Sequence, residues 1–140
     1  MLSHKDINQR TLLDAGGHPI VLDWEITGEL HLASELGSTA LNLAQGRGFD
    51  LIEPAVFRAV LDGYVAAGGT LPEAGPDWFV DMISGWVRFT RWNMVRCLAG
   101  IEASTGPELA PSHETVRNGL RGLPELFTRL PELEDLLVCR

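Results

Sequence analysis

The sequence has few of the features that mark a secreted or membrane protein. Its 140 residues include only two cysteines, Cys97 and Cys139, and they form no C-x-x-C pair. Isolated thiols of this kind are typical of a chain that stays reduced. The N-terminus lacks the basic and then apolar pattern of a signal peptide. The longest uncharged run, residues 36–46, is shorter than the about 20 residues of a membrane span. These features predict a soluble, cytoplasmic protein without a membrane partner.

Basic residues are also scarce, since 11 lysines and arginines stand against 19 acidic residues and give a net charge of −8. Such a surface repels phosphates, so we expect no nucleic-acid partner and no anionic lipid partner. It would suit a cationic small substrate, although an acidic surface also simply keeps a protein in solution. Neither G-x-G-x-x-G nor G-x-x-x-x-G-K-[ST], which cradle nucleotide phosphates, occurs in the sequence.

A hydrophobic content of 45% is sufficient for a core, and the length predicts a single domain over residues 1–140. Apolar runs at 11–13 and 20–22, separated by Gly16-Gly17, predict a small β-hairpin after a polar loop at 1–10. Beyond Asp23 the apolar spacing is helical to the end. We expect a first helix over 31–44 and a second that begins at a cap at Asp50 and ends at Gly68-Gly69. The third helix, over 77–98, should be the longest, and the last should begin at Ser112. Residues 46–48 should end the first helix, residues 100–111 should form a loop, and Pro124 and Pro131 should divide the last stretch into two shorter helices.

Two aspartates have the spacing of a phosphotransfer site. Asp6 lies in the polar loop within His4-Lys5-Asp6, and Asp23 ends the second apolar run 17 positions later. In kinase folds one aspartate accepts the proton of the substrate hydroxyl, and another holds magnesium on the nucleotide phosphates. Taken alone, Asp6 could equally be a common turn residue and Asp23 a residue that caps the end of a strand.

The segments SHKDINQRTLL and PIVLDWEITG resemble the aminoglycoside phosphotransferase and choline kinase-like family. That family has a catalytic loop His-x-Asp-x-x-x-x-Asn and a later hydrophobic-Asp. The segments EPAVFRAVLDGYVAAGG and GWVRFTRWNMVRCLAG resemble its C-terminal lobe, so the likeness covers nearly the whole chain. It implies a mainly α fold: the helical C-terminal lobe of a protein-kinase-like fold with one small β-hairpin near the N-terminus. Residues 1–28 would form the catalytic loop and metal-binding hairpin, and residues 29–140 the helical lobe.

The resemblance also implies a role for each motif residue. Asp6 would be the catalytic base, His4 a scaffold of the loop, and Asp23 a magnesium ligand. Thr11 occupies the position of the family's metal-binding asparagine, although it could simply be the first residue of a strand. Asp-Trp-Glu at 23–25 departs from the Asp-Phe-Gly of protein kinases and favours the small-molecule enzymes. The implied cofactors are Mg²⁺ and ATP, and the acceptor is a small-molecule hydroxyl such as that of an aminoglycoside.

The family places a nucleotide-binding N-terminal lobe before the catalytic loop, whereas Met1 lies three residues before His4. We therefore expect the N-terminal lobe to be absent and the isolated chain to be inactive. The alternative is a non-catalytic remnant or interaction module that forms a homodimer or pairs with a separate nucleotide lobe. Leu12, Leu13, Val21 and Trp24 would then be exposed at the interface.

A last segment, from Trp86 to Arg96, combines aromatic and basic residues. It could line the pocket of the acceptor, or its aromatic residues could belong to the core with the arginines at its edges. Nothing in the sequence identifies the substrate-binding residues.

Overall fold

The computed structural model describes residues 1–45, 52–99 and 112–138, and this part of the chain is mainly helical. Its helices are α1 Leu32–Ala44, α2 Pro54–Ala66, α3 Val80–Leu98 and α4 Ser112–Val138. Short 3-10 turns lie at Trp24–Ile26 and Pro76–Trp78. The strands are β1 Leu2–Ser3, β2 Leu12–Asp14, β3 Pro19–Val21 and β4 Gly28–Glu29. The prediction of a mainly α chain with a small hairpin near its N-terminus is confirmed.

The hairpin of β2 and β3 lies within one residue of its predicted position. The strands are antiparallel, with Leu12 opposite Val21 and Asp14 opposite Pro19. Gly16 and Gly17 have φ angles of 70° and 86°, which glycine adopts without a steric penalty. The Gly17 N–H donates to Asp14 Oδ1 over 2.7 Å. The Gly-Gly pair is therefore the turn that the sequence predicted.

A second antiparallel ribbon, β1 with β4, was not predicted, because residues 1–10 were expected to be loop and the chain after Asp23 to be helical. Leu2 pairs with Glu29 and Ser3 with Gly28. The Leu30 N–H continues the pairing by donating to the Met1 carbonyl over 3.0 Å. Strands of two residues have no periodicity to detect, so they depend on tertiary contacts. This ribbon fixes residues 4–6 against the start of α1.

The core lies where α1 packs between α2 and the start of α3, with the C-terminal half of α4 closing it. Gly37 on α1 allows close approach, because a Cβ there would lie 2.0 Å from the Trp78 carbonyl oxygen. Ser34 adds a hydrogen bond of 2.8 Å to the Asp77 carbonyl. The largest fully buried side chains of the described residues are Trp78, Phe57, Phe79, Leu41, Leu126 and Leu133.

The prediction that the prolines divide the last stretch into two helices is wrong, because α4 continues through Pro124 and Pro131. It is also α4, rather than α3, that is the longest helix of the described residues. Both prolines are exposed, so water can hydrate the carbonyls that lose their helical partners. On the other side of α4, Leu126, Leu133 and Leu137 are buried in the core and hold the helix on both sides of Pro131.

Three predictions lie outside the described residues: the helix end at 46–48, the cap at Asp50 and the loop at 100–111. Within the described ranges, no helix combines the length and hydropathy needed to cross a bilayer.

Candidate functional site

The two aspartate motifs meet at the imidazole of His4, a residue that is only 3% exposed. The Asp6 N–H donates to His4 Nδ1 over 3.3 Å. Because a backbone N–H can only donate, Nδ1 is the accepting nitrogen and the ring proton is on Nε2. His4 Nε2 then donates to the Leu22 carbonyl over 2.7 Å. A single buried ring therefore joins the backbone of Asp6 to the residue that precedes Asp23.

The backbone is strained at both motifs. Among the described residues, Lys5 and Asp23 are the only non-glycine residues with positive φ, at 71° and 66°. Aspartate visits this left-handed region more readily than most residues, whereas lysine does not. Such conformations cost about 1–3 kcal/mol and persist only where the surrounding structure enforces them, often at functional sites. One strained residue directly precedes Asp6, and the other is Asp23 itself.

Glu35 on α1 holds the strained turn at Lys5. Its Oε1 accepts the Lys5 N–H over 3.3 Å. Glu35 is 8% exposed, and its Oε2 is buried without a partner among the described residues. Sequence reasoning missed this residue, although an acidic side chain three positions after Leu32 and directly before Leu36 interrupts the apolar stripe of the helix. A charge at a core position of an amphipathic helix was the detectable sign.

The loop from Asp6 to Thr11 is closed by side-chain hydrogen bonds. Thr11 Oγ1 lies 3.0 and 3.1 Å from the carbonyl oxygens of Asp6 and Asn8, which share its single hydrogen. It also accepts the Asn8 N–H over 2.9 Å. Thr11 is buried, and these contacts use its hydroxyl hydrogen and one lone pair. Its hydroxyl thus closes the loop, and a role as metal ligand stays a prediction.

The carboxylate of Asp6 is oriented by Asn8, another residue that sequence reasoning left without a role. Asn8 Nδ2 donates to Asp6 Oδ1 over 2.9 Å and lies 3.2 Å from the Asp6 carbonyl. Asp6 itself is half-buried. Its Oδ2 has no hydrogen-bond partner among the described residues, so this oxygen is available to a ligand.

Asp23 lies beside an aromatic ring at the exit of β3. Its carboxylate is exposed and makes no capping hydrogen bond. The following residue, Trp24, packs its ring edge-on to His4 at 4.7 Å between centroids. Trp24 Nε1 donates to the Val21 carbonyl over 2.9 Å and fixes the indole. The carboxylate of Asp23 is thus open to solvent on a backbone that is held from both sides.

The donor set fits magnesium in part. Mg²⁺ takes oxygen ligands and is usually bound through one or two carboxylates together with substrate phosphates and waters. Asp23 offers an open carboxylate, whereas Asp6 already accepts a bond from Asn8. Across the described ranges, no group of three His, Cys, Asp or Glu residues forms a ready-made metal cluster. A magnesium ion held by Asp23 would therefore complete its coordination with waters and, when substrate is bound, with phosphate oxygens.

The aromatic and basic segment of α3 belongs to the core only in part, and its role in lining an acceptor pocket stays a prediction. Trp86 is half-buried and packs against the core, whereas Phe89 and Trp92 are about half exposed. The rings of Phe89 and Trp92 are stacked with centroids 6.2 Å apart. The guanidinium of Arg96 lies 4.4 Å above the Trp92 ring. The outer part of this segment is thus a surface feature and does not belong to the core.

No protein-family model, no curated protein and no solved structure matches the chain. A functional assignment therefore depends on the geometry around His4.

Proposed function

We propose that residues 1–28 supply the base and the metal ligand of a phosphotransferase site, on the helical C-terminal lobe of a protein-kinase-like fold. The reaction is ATP-dependent phosphorylation of a small-molecule hydroxyl, such as that of an aminoglycoside. The observation that carries the proposal is the His4 ring, which is bonded to the Asp6 N–H on one side and to the Leu22 carbonyl on the other. Phosphotransfer requires the base and the metal ligand to be held together, because the protein contributes mainly positioning and electrostatics.

In this proposal Asp6 accepts the proton of the acceptor hydroxyl through Oδ2. The bond from Asn8 to Oδ1 fixes the plane of the carboxylate. The turn at Lys5, held by Glu35, fixes the backbone that directly precedes Asp6 and so orients the Asp6 side chain. Orientation matters here because a misplacement of about 1 Å can cost about 100-fold in rate.

Asp23 would hold Mg²⁺, which neutralises the charge that develops on the transferred phosphoryl group. The left-handed backbone at Asp23 and the packing of Trp24 on His4 fix the backbone from which that carboxylate projects. Thr11 then serves the site by closing the loop and does not need to touch the metal.

Charge supports an amino-group-bearing acceptor. Residues 1–45 contain six acidic side chains and only Lys5 and Arg10 as bases. A cleft of one charge sign raises the local concentration of oppositely charged ligands. A cationic polyol or amino alcohol is therefore the favoured acceptor class, and a dianionic one is disfavoured.

A second candidate function is an interaction module without catalysis, which forms a homodimer or receives a separate nucleotide lobe. The observation in its favour is the exposure of apolar side chains on and beside the hairpin. Leu13, Ile20 and Trp24 are exposed, whereas Leu12 and Val21, which were also expected at the surface, are half-buried. Exposed apolar groups in one region are typical of a protein interface.

The test uses Mn²⁺ as a paramagnetic probe of the magnesium site in ¹⁵N-labelled protein. Mn²⁺ should broaden the amide resonances of Leu22, Asp23 and Trp24, and Asp23→Asn should abolish the effect. Asp14→Asn is the matched control, because Asp14 is an exposed aspartate on the same hairpin. Broadening that is unchanged in Asp23→Asn would contradict the metal-ligand role.

The second arm measures transfer from [γ-³²P]ATP to a panel of aminoglycosides and amino alcohols, with and without a separately supplied nucleotide lobe. Asp6→Asn should abolish any transfer while the circular dichroism spectrum is unchanged. Transfer that persists in Asp6→Asn would remove Asp6 from the role of base. If the Mn²⁺ site is present and no condition gives transfer, the interaction module is the better description.

A further inference from the structure

The second half of α3 has its polar and apolar residues in the reverse of the usual arrangement. Thr90 and Asn93 are buried. Thr90 faces α4, because a Cβ on Gly119 would lie 2.1 Å from the Thr90 hydroxyl oxygen. The apolar residues of the same stretch point outward instead. We name this surface the α3 face and define it by Arg88, Phe89, Arg91, Trp92, Val95 and Leu98, all of which are exposed.

The α3 face is both apolar and preorganised. Trp92 is 54% exposed and Leu98 83% exposed, although burial of such side chains would be favourable. The stacking of Phe89 on Trp92, and of Arg96 on Trp92, already restricts the side chains that would form a contact. Tryptophan and arginine are the residues that most often dominate interface energies. A large exposed apolar patch on a monomer marks an interaction surface.

The charge of this surface indicates what covers it. After Asp81, α3 contains three arginines and no acidic residue. No carboxylate among the described residues forms an ion pair with Arg88, Arg91 or Arg96. In a chain with 19 acidic and 11 basic residues, a basic stretch of this kind is unexpected. The three arginines are therefore open to carboxylates of another molecule.

A second copy of this chain offers those partners on α4. Residues 125–138 contain four acidic side chains, Glu125, Glu132, Glu134 and Asp135, against the single base Arg129. The formal charges are therefore +3 on residues 88–98 and −3 on residues 125–138. The lengths also agree, because at 1.5 Å per residue Arg88 to Arg96 spans about 12 Å and Glu125 to Asp135 about 15 Å. Phe127 is exposed within the acidic segment and supplies an apolar contact.

We propose that two copies of the chain form a two-fold dimer in which the α3 face of each copy packs on the acidic segment 125–138 of the other. Two-fold symmetry forms two equivalent contacts at once, because the α3 of each copy packs on the α4 of the other. The apolar side chains of the α3 face supply the affinity, and the opposite charges set the register and orientation. This surface is distinct from the hairpin that the sequence indicated, and the dimer does not depend on phosphotransfer.

Sedimentation velocity of the full chain over a range of concentrations tests the proposal. At low salt the wild type should dimerise, and 0.5 M NaCl should weaken the dimer because exposed charges are screened. A reversal on α3, Arg88→Glu with Arg91→Glu, should raise the dimer Kd by about tenfold or more. A reversal on α4, Glu125→Lys with Asp135→Lys, should do the same. All four positions are exposed, so the circular dichroism spectra should match that of the wild type.

A mixture of the two reversed variants provides the decisive measurement. Each alone places like charges across both contacts, whereas the mixed pair restores opposite charges at both, so a heterodimer should form. Leu13→Ser with Ile20→Ser, on the hairpin, is the control that should leave the wild-type dimer intact. A wild type that is monomeric at every concentration would overturn the proposal. So would reversed variants that dimerise like the wild type, a mixture that fails to associate, or a dimer lost only in the hairpin control.

Discussion

Lys5 shows how a single residue conformation reports on a site. Its φ of 71° is unfavourable for a lysine, and the Glu35 carboxylate and the pairing of β1 with β4 hold it in place. A Cβ on Gly28 would come within 2.6 Å of Lys5 Nζ, so glycine leaves room for the lysine side chain beside β4. The strain is thus maintained by contacts from two other parts of the chain, and it sets where Asp6 lies.

The contact of Glu35 with Lys5 gives the first prediction. Glu35→Ala should lower the free energy of unfolding by about 1–3 kcal/mol, because the Lys5 N–H loses its acceptor at a partly buried site. Glu35→Gln retains an oxygen acceptor of the same length and should cost less. Urea denaturation of the three proteins is the measurement. Equal losses in the two variants would show that the hydrogen bond to Lys5 is not what Glu35 contributes.

At the residue scale, the sequence allowed prediction of the residues with a motif and missed those that support them. Asp6 and Asp23 were identified by their spacing and by the apolar run before Asp23, and their chemical roles stay predictions. Asn8 was missed because its spacing from Asp6 does not match that of the family's asparagine, although the two are only two positions apart. Glu35 was missed because its function depends on a partner that folding brings near. Glu35 lies 30 positions from Lys5, and no local pattern connects the two.

At the element scale, α1, α2 and the hairpin were predictable because periodicity and glycines mark them locally. The β1–β4 ribbon was not, since its two pairs join residues 25 and 27 positions apart. The error at α4 has a different cause. Local rules for proline assume an isolated helix, whereas the buried Leu126, Leu133 and Leu137 hold α4 along its whole C-terminal half.

The prolines of α4 give the second prediction. Pro124→Ala and Pro131→Ala should each raise the unfolding midpoint, because alanine restores a helical hydrogen bond and removes a steric clash. The gain should be about 1 kcal/mol or more, reduced by the greater freedom of the unfolded chain. Pro54→Ala is the control, since Pro54 lies in the first turn of α2, where proline is well tolerated. Thermal unfolding decides it, and a lower midpoint for either α4 variant would mean that the prolines shape a bend that packing requires.

Two helical glycines in different surroundings give the third prediction. Gly63 on α2 has open space where a Cβ would lie, so Gly63→Ala should stabilise the protein by about 0.5–1 kcal/mol. Gly119 on α4 has the Thr90 hydroxyl 2.1 Å from that position, so Gly119→Ala should destabilise the protein despite the same gain in helix propensity. Chemical denaturation compares the two signs. Stabilisation by Gly119→Ala would show that α3 and α4 are less closely packed than the structure has them.

At the scale of the whole molecule, charge is distributed in a way that composition alone did not reveal. The net charge of −8 predicted a generally acidic surface. The structure instead exposes a basic, aromatic α3 and an acidic C-terminal half of α4 on one chain. The sequence showed that the segment from Trp86 to Arg96 combines aromatic and basic residues. It did not show that Phe89 and Trp92 face outward, because aromatic residues at helical spacing usually belong to a core.

The last prediction concerns nucleotide affinity, which measures how much of a phosphotransfer site the described loops provide. Around His4, one open carboxylate is available to a metal, and residues 1–45 contain six acidic side chains against two bases. The phosphates of ATP are therefore repelled except where Mg²⁺ bridges them to Asp23. Isothermal titration with Mg-ATP should give a Kd well above the micromolar range, and Asp23→Asn should weaken it further. A wild-type Kd near 1 μM corresponds to about −8 kcal/mol. That affinity would mean that these loops already form most of a nucleotide site, and the assignment of Asp23 as its principal attachment would then be wrong.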